Sequence, residues 1–220
     1  ATIIVTPTFT NEGVSCDGPT ESFTITVNPT AQVNVIANEV VCNTEATTVL
    51  FTTDNTVGVT AYAWTSDIEI GAGLTGAGDM SFTAANEGTD PLVATIIVTP
   101  TFTNEGVSCD GPTESFTITV NPSAQVELPT DIILCHGDLN ATILLTSENI
   151  NGASNFIWAN DTTSIGLVAS GSGDIAAFTA INSSTEPISA TISITPIFTN
   201  SGISCTGNEV SFTITVNPTA

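Results

Sequence analysis

The 220-residue chain carries 22 acidic side chains, no Lys or Arg and a single His, for a formal charge of -22. Without cations it cannot neutralise phosphates, which excludes nucleic-acid binding and attraction to anionic lipid headgroups. With 41% hydrophobic and 10% charged residues the composition is globular rather than that of a disordered acidic tail, and no apolar run of roughly 18 residues offers a membrane span.

The string ATIIVTPTFTNEGVSCDGPTESFTITVNP fills residues 1–29 and recurs letter for letter at 94–122. A diverged copy, ATISITPIFTNSGISCTGNEVSFTITVNP, fills 190–218, so the spacings are 93 and 96 residues. A period of that length is a whole small domain, not a solenoid turn. The expected division is 1–30 as the C-terminal part of a preceding repeat, 31–123 as one β-sandwich repeat and 124–220 as the next.

No stretch holds a 3.6-residue period, and alternation dominates. After the first copy of the string, Gln32–Ile36 reads as a first strand, Thr47–Thr53 as a second and Thr60–Thr65 as a third. A glycine-rich strip at 70–79 follows, then a short strand at Ser81–Ala84. Ala94–Phe102 and Ser115–Val120 are the closing pair, the latter with Phe116, Ile118 and Val120 on one face and Ser115, Thr117 and Thr119 on the other. Thr103–Thr113, with two glycines and Pro112, reads as a long hairpin loop. The second repeat answers with Ala141–Thr146, Asn155–Ala159 and Ala177–Ala180. About seven short strands per repeat, with a Trp on the third, describe all-β tandem immunoglobulin-like sandwiches. The expected core is Tyr62, Trp64, Phe82, Phe102 and Phe116, answered by Phe156, Trp158, Phe178, Phe198 and Phe212.

Repeats join through Val120-Asn121-Pro122-Ser123-Ala124, a proline-containing link short enough to hold neighbours end to end as a rod. The cysteines are Cys16, Cys42, Cys109, Cys135 and Cys205, one early and one late in each full repeat. That periodic pair points to an oxidising, extracellular setting. Within a repeat the two cysteines are expected at opposite ends of the sandwich, about 20 Å apart, whereas a disulfide needs Cα atoms within about 7 Å. Topology therefore favours a bridge across the junction, Cys42 to Cys205. Pairing within repeats, Cys42 with Cys109 and Cys135 with Cys205, stays open as the alternative. The cysteines are read as loop residues.

No catalytic set is visible and no enzyme activity is expected. His136 follows Cys135, but the first repeat has Asn43 there, which favours a structural role. The glycine turns ending in Asp79 and Asp174 lack the strand–helix context of a phosphate loop. No cofactor is expected, with a Ca2+ ion at Asp79 or Asp174 kept as the alternative. Asn140, Asn160 and Asn182 each head an N-glycan sequon, and Asp161-Thr162-Thr163 matches a bacterial O-glycosylation pattern. Thr-x-Thr runs such as Thr117-Ile118-Thr119 are read as the wet face of a strand.

The Trp strand, the strip from Ile70-Gly71 to Asp79, the string Phe82-Thr83-Ala84, then ATIIVTP, a cysteine and FTITVNP, resembles the PKD-like repeats of Bacteroidota surface adhesins of the gliding-motility type. The resemblance covers the whole chain. It implies immunoglobulin-like repeats, export by type IX secretion, and attachment outside the outer membrane of a Gram-negative bacterium. The expected function is that of structural stalk repeats of a long adhesin or filament serving gliding motility and surface attachment. The expected partners are neighbouring repeats of the same chain, with glycans or the substratum met by a distal region. The alternative is a glycan- or protein-binding sandwich module. The unlike loops Asp54–Val59 and Glu148–Ser154 favour the stalk.

Overall fold

The apolar–polar alternation of the repeat becomes paired strands along the whole chain. The computed structural model describes residues 1–219, and among them helix is confined to a 3-10 turn at Thr163–Ile165. Four short strands open the chain: β1 (Thr2–Val5), β2 (Thr8–Asn11), β3 (Val14–Asp17) and β4 (Glu21–Thr24), with β1 paired to β4 and β2 to β3. None of the four has a packed face, and Phe9 and Val27 stand open to solvent.

The next eight strands build a sandwich. They are β5 (Glu39–Cys42), β6 (Ala46–Val49), β7 (Val59–Ser66), β8 (Thr75–Ala77), β9 (Met80–Thr83), β10 (Leu92–Asn104), β11 (Val107–Asp110) and β12 (Glu114–Asn121). One sheet runs β5-β12-β10-β7-β8, with β11 extending β10, and the facing sheet is the pair β6-β9. Strand β5 lies parallel to β12, while every other pairing is antiparallel. Ile96, Val98, Ile118 and Val120 pack with Trp64, Ile70 and Met80 in one cluster. Each of these large side chains contributes about 1.5–3 kcal/mol on burial.

The second sandwich repeats the plan with β13 (Ile132–Cys135), β14 (Leu139–Asn140), β15 (Ala153–Asn160), β16 (Ser170–Ser172), β17 (Phe178–Thr179), β18 (Ile188–Asn200), β19 (Ile203–Thr206) and β20 (Val210–Asn217). Its main sheet is β13-β20-β18-β15-β16, and β14 pairs with β17. Ile192, Ile194, Ile214 and Val216 meet Trp158, Ile165 and Ile175. The fold is all-β, two immunoglobulin-like sandwiches preceded by the strands of residues 1–29.

A proline in the middle of a thirteen-residue strand needs a reason, because it has no N–H for the ladder. Pro100 sits where β10 changes partner, between its last pair with β12, Val98–Glu114, and its first with β11, Thr101–Asp110. On that side its carbonyl accepts the Gly111 N–H at 3.0 Å, so the missing donor faces a gap in the ladder. Pro196 and Gly207 repeat the contact at 3.0 Å, and Pro7 and Gly18 at 2.7 Å. Gly111 must be glycine, since a Cβ there would collide with the Ala31 carbonyl; Gly207 faces Ala124 in the same way.

Four features differ from the sequence expectation. Gln32–Ile36 forms no ladder strand. Its Gln32 N–H goes to the Asn55 side chain at 2.8 Å and only Asn34 N–H bonds the neighbouring backbone, at Thr52. The pairing strand begins later, at Glu39. Thr103–Thr113 is not a loop. Glu105 and Gly106, at φ 48° and 79°, make a two-residue turn of the type that suits a twisted hairpin. Chain growth as β11 follows, so Cys109 and Cys205 stand in strands, and Cys42 and Cys135 close theirs. Residues 75–77 of the glycine strip pair with the Trp strand as β8. Ala141–Thr146 forms no strand beyond the single bridge Ile143–Ile175; the pairing strand is β14, just before it. The second repeat has Ala176-Ala177 where the first has Ser81 alone, and the ladder lapses there, between Asn140–Phe178 and Ile143–Ile175, while keeping one register.

Candidate functional site

The two sandwiches meet around the link Asn121-Pro122-Ser123, and the contact is built from several elements. Cys42, the last residue of β5, is bonded to Cys205 of β19, with Cα atoms 5.6 Å apart. Pairing within a repeat does not occur: Cys16, Cys109 and Cys135 are free. The reason is length. Cys42 lies beside Asn121 at the far end of β12, while Cys109 is on the hairpin beyond the near end at Glu114. Eight strand residues put about 25 Å between those ends, several times the reach of a disulfide. Closing a loop of 163 residues is worth about 5 kcal/mol in chain entropy.

Asparagines complete the junction, a role that no motif or spacing in the sequence marks. Asn200 Nδ2 donates to Asn121 Oδ1 at 3.0 Å, and Asn121 Nδ2 donates back to the Asn200 carbonyl at 3.3 Å. The same clasp closes the earlier junction, where Asn104 Nδ2 donates to Asn28 Oδ1 at 3.0 Å. On the other flank of the later junction, Asn151 Nδ2 donates to the Asp90 carboxylate at 2.8 Å and Ile150 N–H to the Thr89 carbonyl at 3.0 Å. The disulfide, the amide clasp and this flank hold the second sandwich from more than one direction.

The carboxylates have no cations to pair with, and many accept N–H groups instead. Glu45 takes the Cys42 N–H at 2.9 Å and Asp138 the Cys135 N–H at 2.8 Å. Asp79 and Asp174, the residues offered to Ca2+, each take a backbone N–H, from Phe51 at 2.8 Å and from Leu145 at 2.9 Å. Among the described residues no group of three or more His, Cys, Asp or Glu side chains is placed to hold a metal ion. Asp161 accepts the Thr191 N–H at 2.8 Å and the Thr162 hydroxyl at 2.9 Å. The Thr191 N–H, then the Thr162 hydroxyl, hold its carboxyl below the usual range. Glu39 goes the other way, raised by burial and then by the charge of Glu45. Burial also raises the Tyr62 phenol, against a Thr53 hydrogen bond that lowers it.

His136 Nδ1 accepts the Asn182 N–H at 2.9 Å, as Asn43 Oδ1 accepts that of Asn86 at 2.8 Å. It is a backbone acceptor in a position shared by both repeats. Of the sequon asparagines, Asn182 is buried with Nδ2 spent on the Glu186 and Val216 carbonyls, and Asn160 is buried with Nδ2 on Leu167. Neither can carry a glycan while the domain is folded. Of the aromatic set, Trp64, Phe102, Phe116, Phe156, Trp158, Phe178, Phe198 and Phe212 are buried, and Tyr62 and Phe82 pack half-exposed at the edge of the first cluster. Tyr62 meets Phe51 edge to face at 5.6 Å.

No family model matches the chain, and no curated protein matches it. Among solved structures it is similar to human mucin-like protocadherin EC1-2, with 13% identity over 86% of this chain and 98% of that one, at a TM-score of 0.36. It is similar to the insect immune protein hemolin, with 12% identity over 98% of this chain and 56% of that one, at 0.36. A third is Dscam1 isoform 4.44, N-terminal four Ig domains, with 11% identity over 99% of this chain and 61% of that one, at 0.29. The immunoglobulin-like assignment itself rests on the strand order and register above.

Proposed function

We propose that the chain is a run of stalk repeats from a long secreted cell-surface adhesin or filament, whose work is to hold a distal binding region away from the cell. The observation that carries this reading is the junction. Cys42–Cys205, the Asn121–Asn200 clasp and the Asn151–Asp90 flank join one sandwich to the next, and the Asn28–Asn104 clasp repeats at the earlier junction. A binding module has no need to invest so many contacts in its neighbour, and the loop Glu148–Ser154 spends Asn151 and Ile150 on that neighbour. A charge of -22 without any Lys or Arg suits a salty exterior in which solvent ions relieve self-repulsion. Among the described residues no helix is long and apolar enough to cross a membrane.

The finer reading, from the motifs of the repeat, is a gliding-motility adhesin exported by type IX secretion and attached outside the outer membrane, non-enzymatic, with glycans or the substratum met elsewhere on the parent. Small-angle scattering of the 220-residue chain, oxidised and reduced, tests the stalk. The expected outcome is an elongated particle whose two sandwiches keep a fixed separation when oxidised. A broad spread of separations in the oxidised form, or a compact particle, removes the reading. Strong retention of the oxidised fragment on a glycan array turns the choice to the binding module instead.

A further inference from the structure

We propose that Asn151-Gly152, in the loop that holds the outer flank of the later junction, is a deamidation site. Its side-chain amide is lost spontaneously through a cyclic imide, and the carboxylate that replaces it opens the contact with the first sandwich. This goes beyond the stalk reading, which takes the joint as chemically fixed.

The pair is the one Asn-Gly step in the sequence, and the fold holds both residues in place. Asn151 sits at φ 57°, in the left-handed region that Asn tolerates better than a branched side chain. Its Nδ2 donates to the Asp90 carboxylate at 2.8 Å, and the adjacent Ile150 N–H to the Thr89 carbonyl at 3.0 Å. Gly152 resists replacement, because a Cβ there would lie 2.3 Å from the ring of Phe198, which is fully buried. Yet glycine after asparagine is the step most open to cyclisation, since no side chain crowds the nitrogen that closes the ring. Both residues are exposed, and the Gly152 N–H donates to no backbone acceptor among the described residues. The equivalent pair in the first sandwich is Val57-Gly58, with Val57 at φ 59° and Gly58 against Phe102 in the same way. Val57 has no amide to lose, so the lability belongs to this joint and not to the repeat.

The Gly152 nitrogen gives up its proton and attacks Asn151 Cγ. The Cγ–Nδ2 bond breaks, and ammonia leaves with that proton. Water then opens the imide at one carbonyl or the other, giving Asp or iso-Asp. One water is consumed and one ammonia released, with no change of oxidation state. In either product a carboxylate stands where an amide N–H donated to Asp90. Two carboxylates sharing one contact cannot both ionise without cost, and the chain has no Lys or Arg to lie between them. In iso-Asp the main chain also gains one carbon just before Gly152 packs on Phe198. The bond to Asp90 holds the intact amide away from ring closure. The contact therefore slows its own loss, and a joint opened by other means reacts sooner.

The test ages the full-length oxidised chain in warm, mildly alkaline buffer and follows each asparagine by peptic mapping and mass spectrometry. Asn151 is expected to convert first, into two products of equal mass. Asp90→Ala should speed that conversion about fivefold, the worth of about one hydrogen bond. The joint itself is read from hydrogen exchange at Ile150, whose N–H is held by the Thr89 carbonyl. Asn151→Asp should speed this exchange about fivefold. Combining Asn151→Asp with Asp90→Asn, which restores one amide–carboxylate bond in the opposite sense, should return it to the parent rate. Conversion of another asparagine ahead of Asn151, no effect of Asp90→Ala, Ile150 exchange unchanged by Asn151→Asp, or no recovery in the swapped pair overturns the proposal. The Cys42–Cys205 link, read from the same maps, verifies that the variants are folded. Failure here leaves the scattering test of the stalk, made on fresh chain, untouched.

Discussion

Residues 1–29 and 94–122 are the same 29 letters in two surroundings. In the second, Ile96, Val98, Phe102, Phe116, Ile118 and Val120 are at most 3% exposed. Their twins Ile3, Val5, Phe9, Phe23, Ile25 and Val27 are 37% to 86% exposed. The pairing partners differ less than the burial does, since β1 faces β4 as β10 faces β12, in the same register. What the surroundings change is extent: β10 is thirteen residues long, while β1 and β2 have four each. Local alternation and turn chemistry are enough to write the strands. The neighbouring strand β7 and the facing pair β6-β9 are needed to lengthen them and dry one face.

The largest expected separation of the twins comes from the core. Phe116→Ala should cost about 3–5 kcal/mol in urea unfolding, and Phe23→Ala close to nothing. Equal costs would mean that residues 1–29 pack against something after all. Next is Gly111→Ala, which drives a Cβ into the Ala31 carbonyl and should cost about 1–3 kcal/mol. Its twin Gly18→Ala meets only the Pro7 ring, at 2.9 Å, and should lower the midpoint far less. Asn121→Ala should then cost about 1 kcal/mol through the lost clasp. Asn28→Ala should leave unfolding unchanged yet free residues 1–29 from the first sandwich, read as sharper amide signals in NMR.

The alternation, the Trp strand and the junction were legible, because each is written within a few neighbouring residues or follows from the brevity of the link. Cysteine pairing could be argued for the same reason: a strand is too long for one bridge and the link short enough for the other. The polar framework was not legible. Asp131 caps Thr213 and Asn38 caps Thr117, across 82 and 79 residues, and no period in the sequence marks an acceptor whose donor lies so far away. The β11 hairpin was hidden for a different reason. Glu105 takes a positive φ normally left to Gly, Asn or Asp, so Glu-Gly reads as loop.

The smallest expected effects compare the two sandwiches by pH. Glu39 has no acidic twin, its place being taken by Ile132. Its carboxyl is raised in the fold, so ionisation is penalised there. The penalty is absent below the unfolded value of 4.5 and grows as pH climbs through the folded one. Glu39→Gln should therefore raise the urea midpoint at about pH 7 and leave it unchanged at about pH 3. Asp161 has the opposite sign. Its lowered carboxyl contributes stability above the unfolded value of 3.8, lost as pH falls through the folded one. Asp161→Asn should lower the midpoint at neutral pH and converge on the parent in strong acid. The same sign for both variants would rule out this account of the two carboxyls.

The Cys42–Cys205 bond also decides where a mechanical load travels. A pull on the two ends enters along the first strands, leaves the backbone at Cys42, crosses the sulfurs and resumes at Cys205. The chain between, a separation of 163 residues or about 550 Å of contour at about 3.4 Å each, is bypassed by that shunt. Strands β6 to β18 lie inside the shunt and are spared the pull while the bond is intact, whereas β5, with Val41, and β20, with Phe212, Ile214 and Val216, stay in the loaded path.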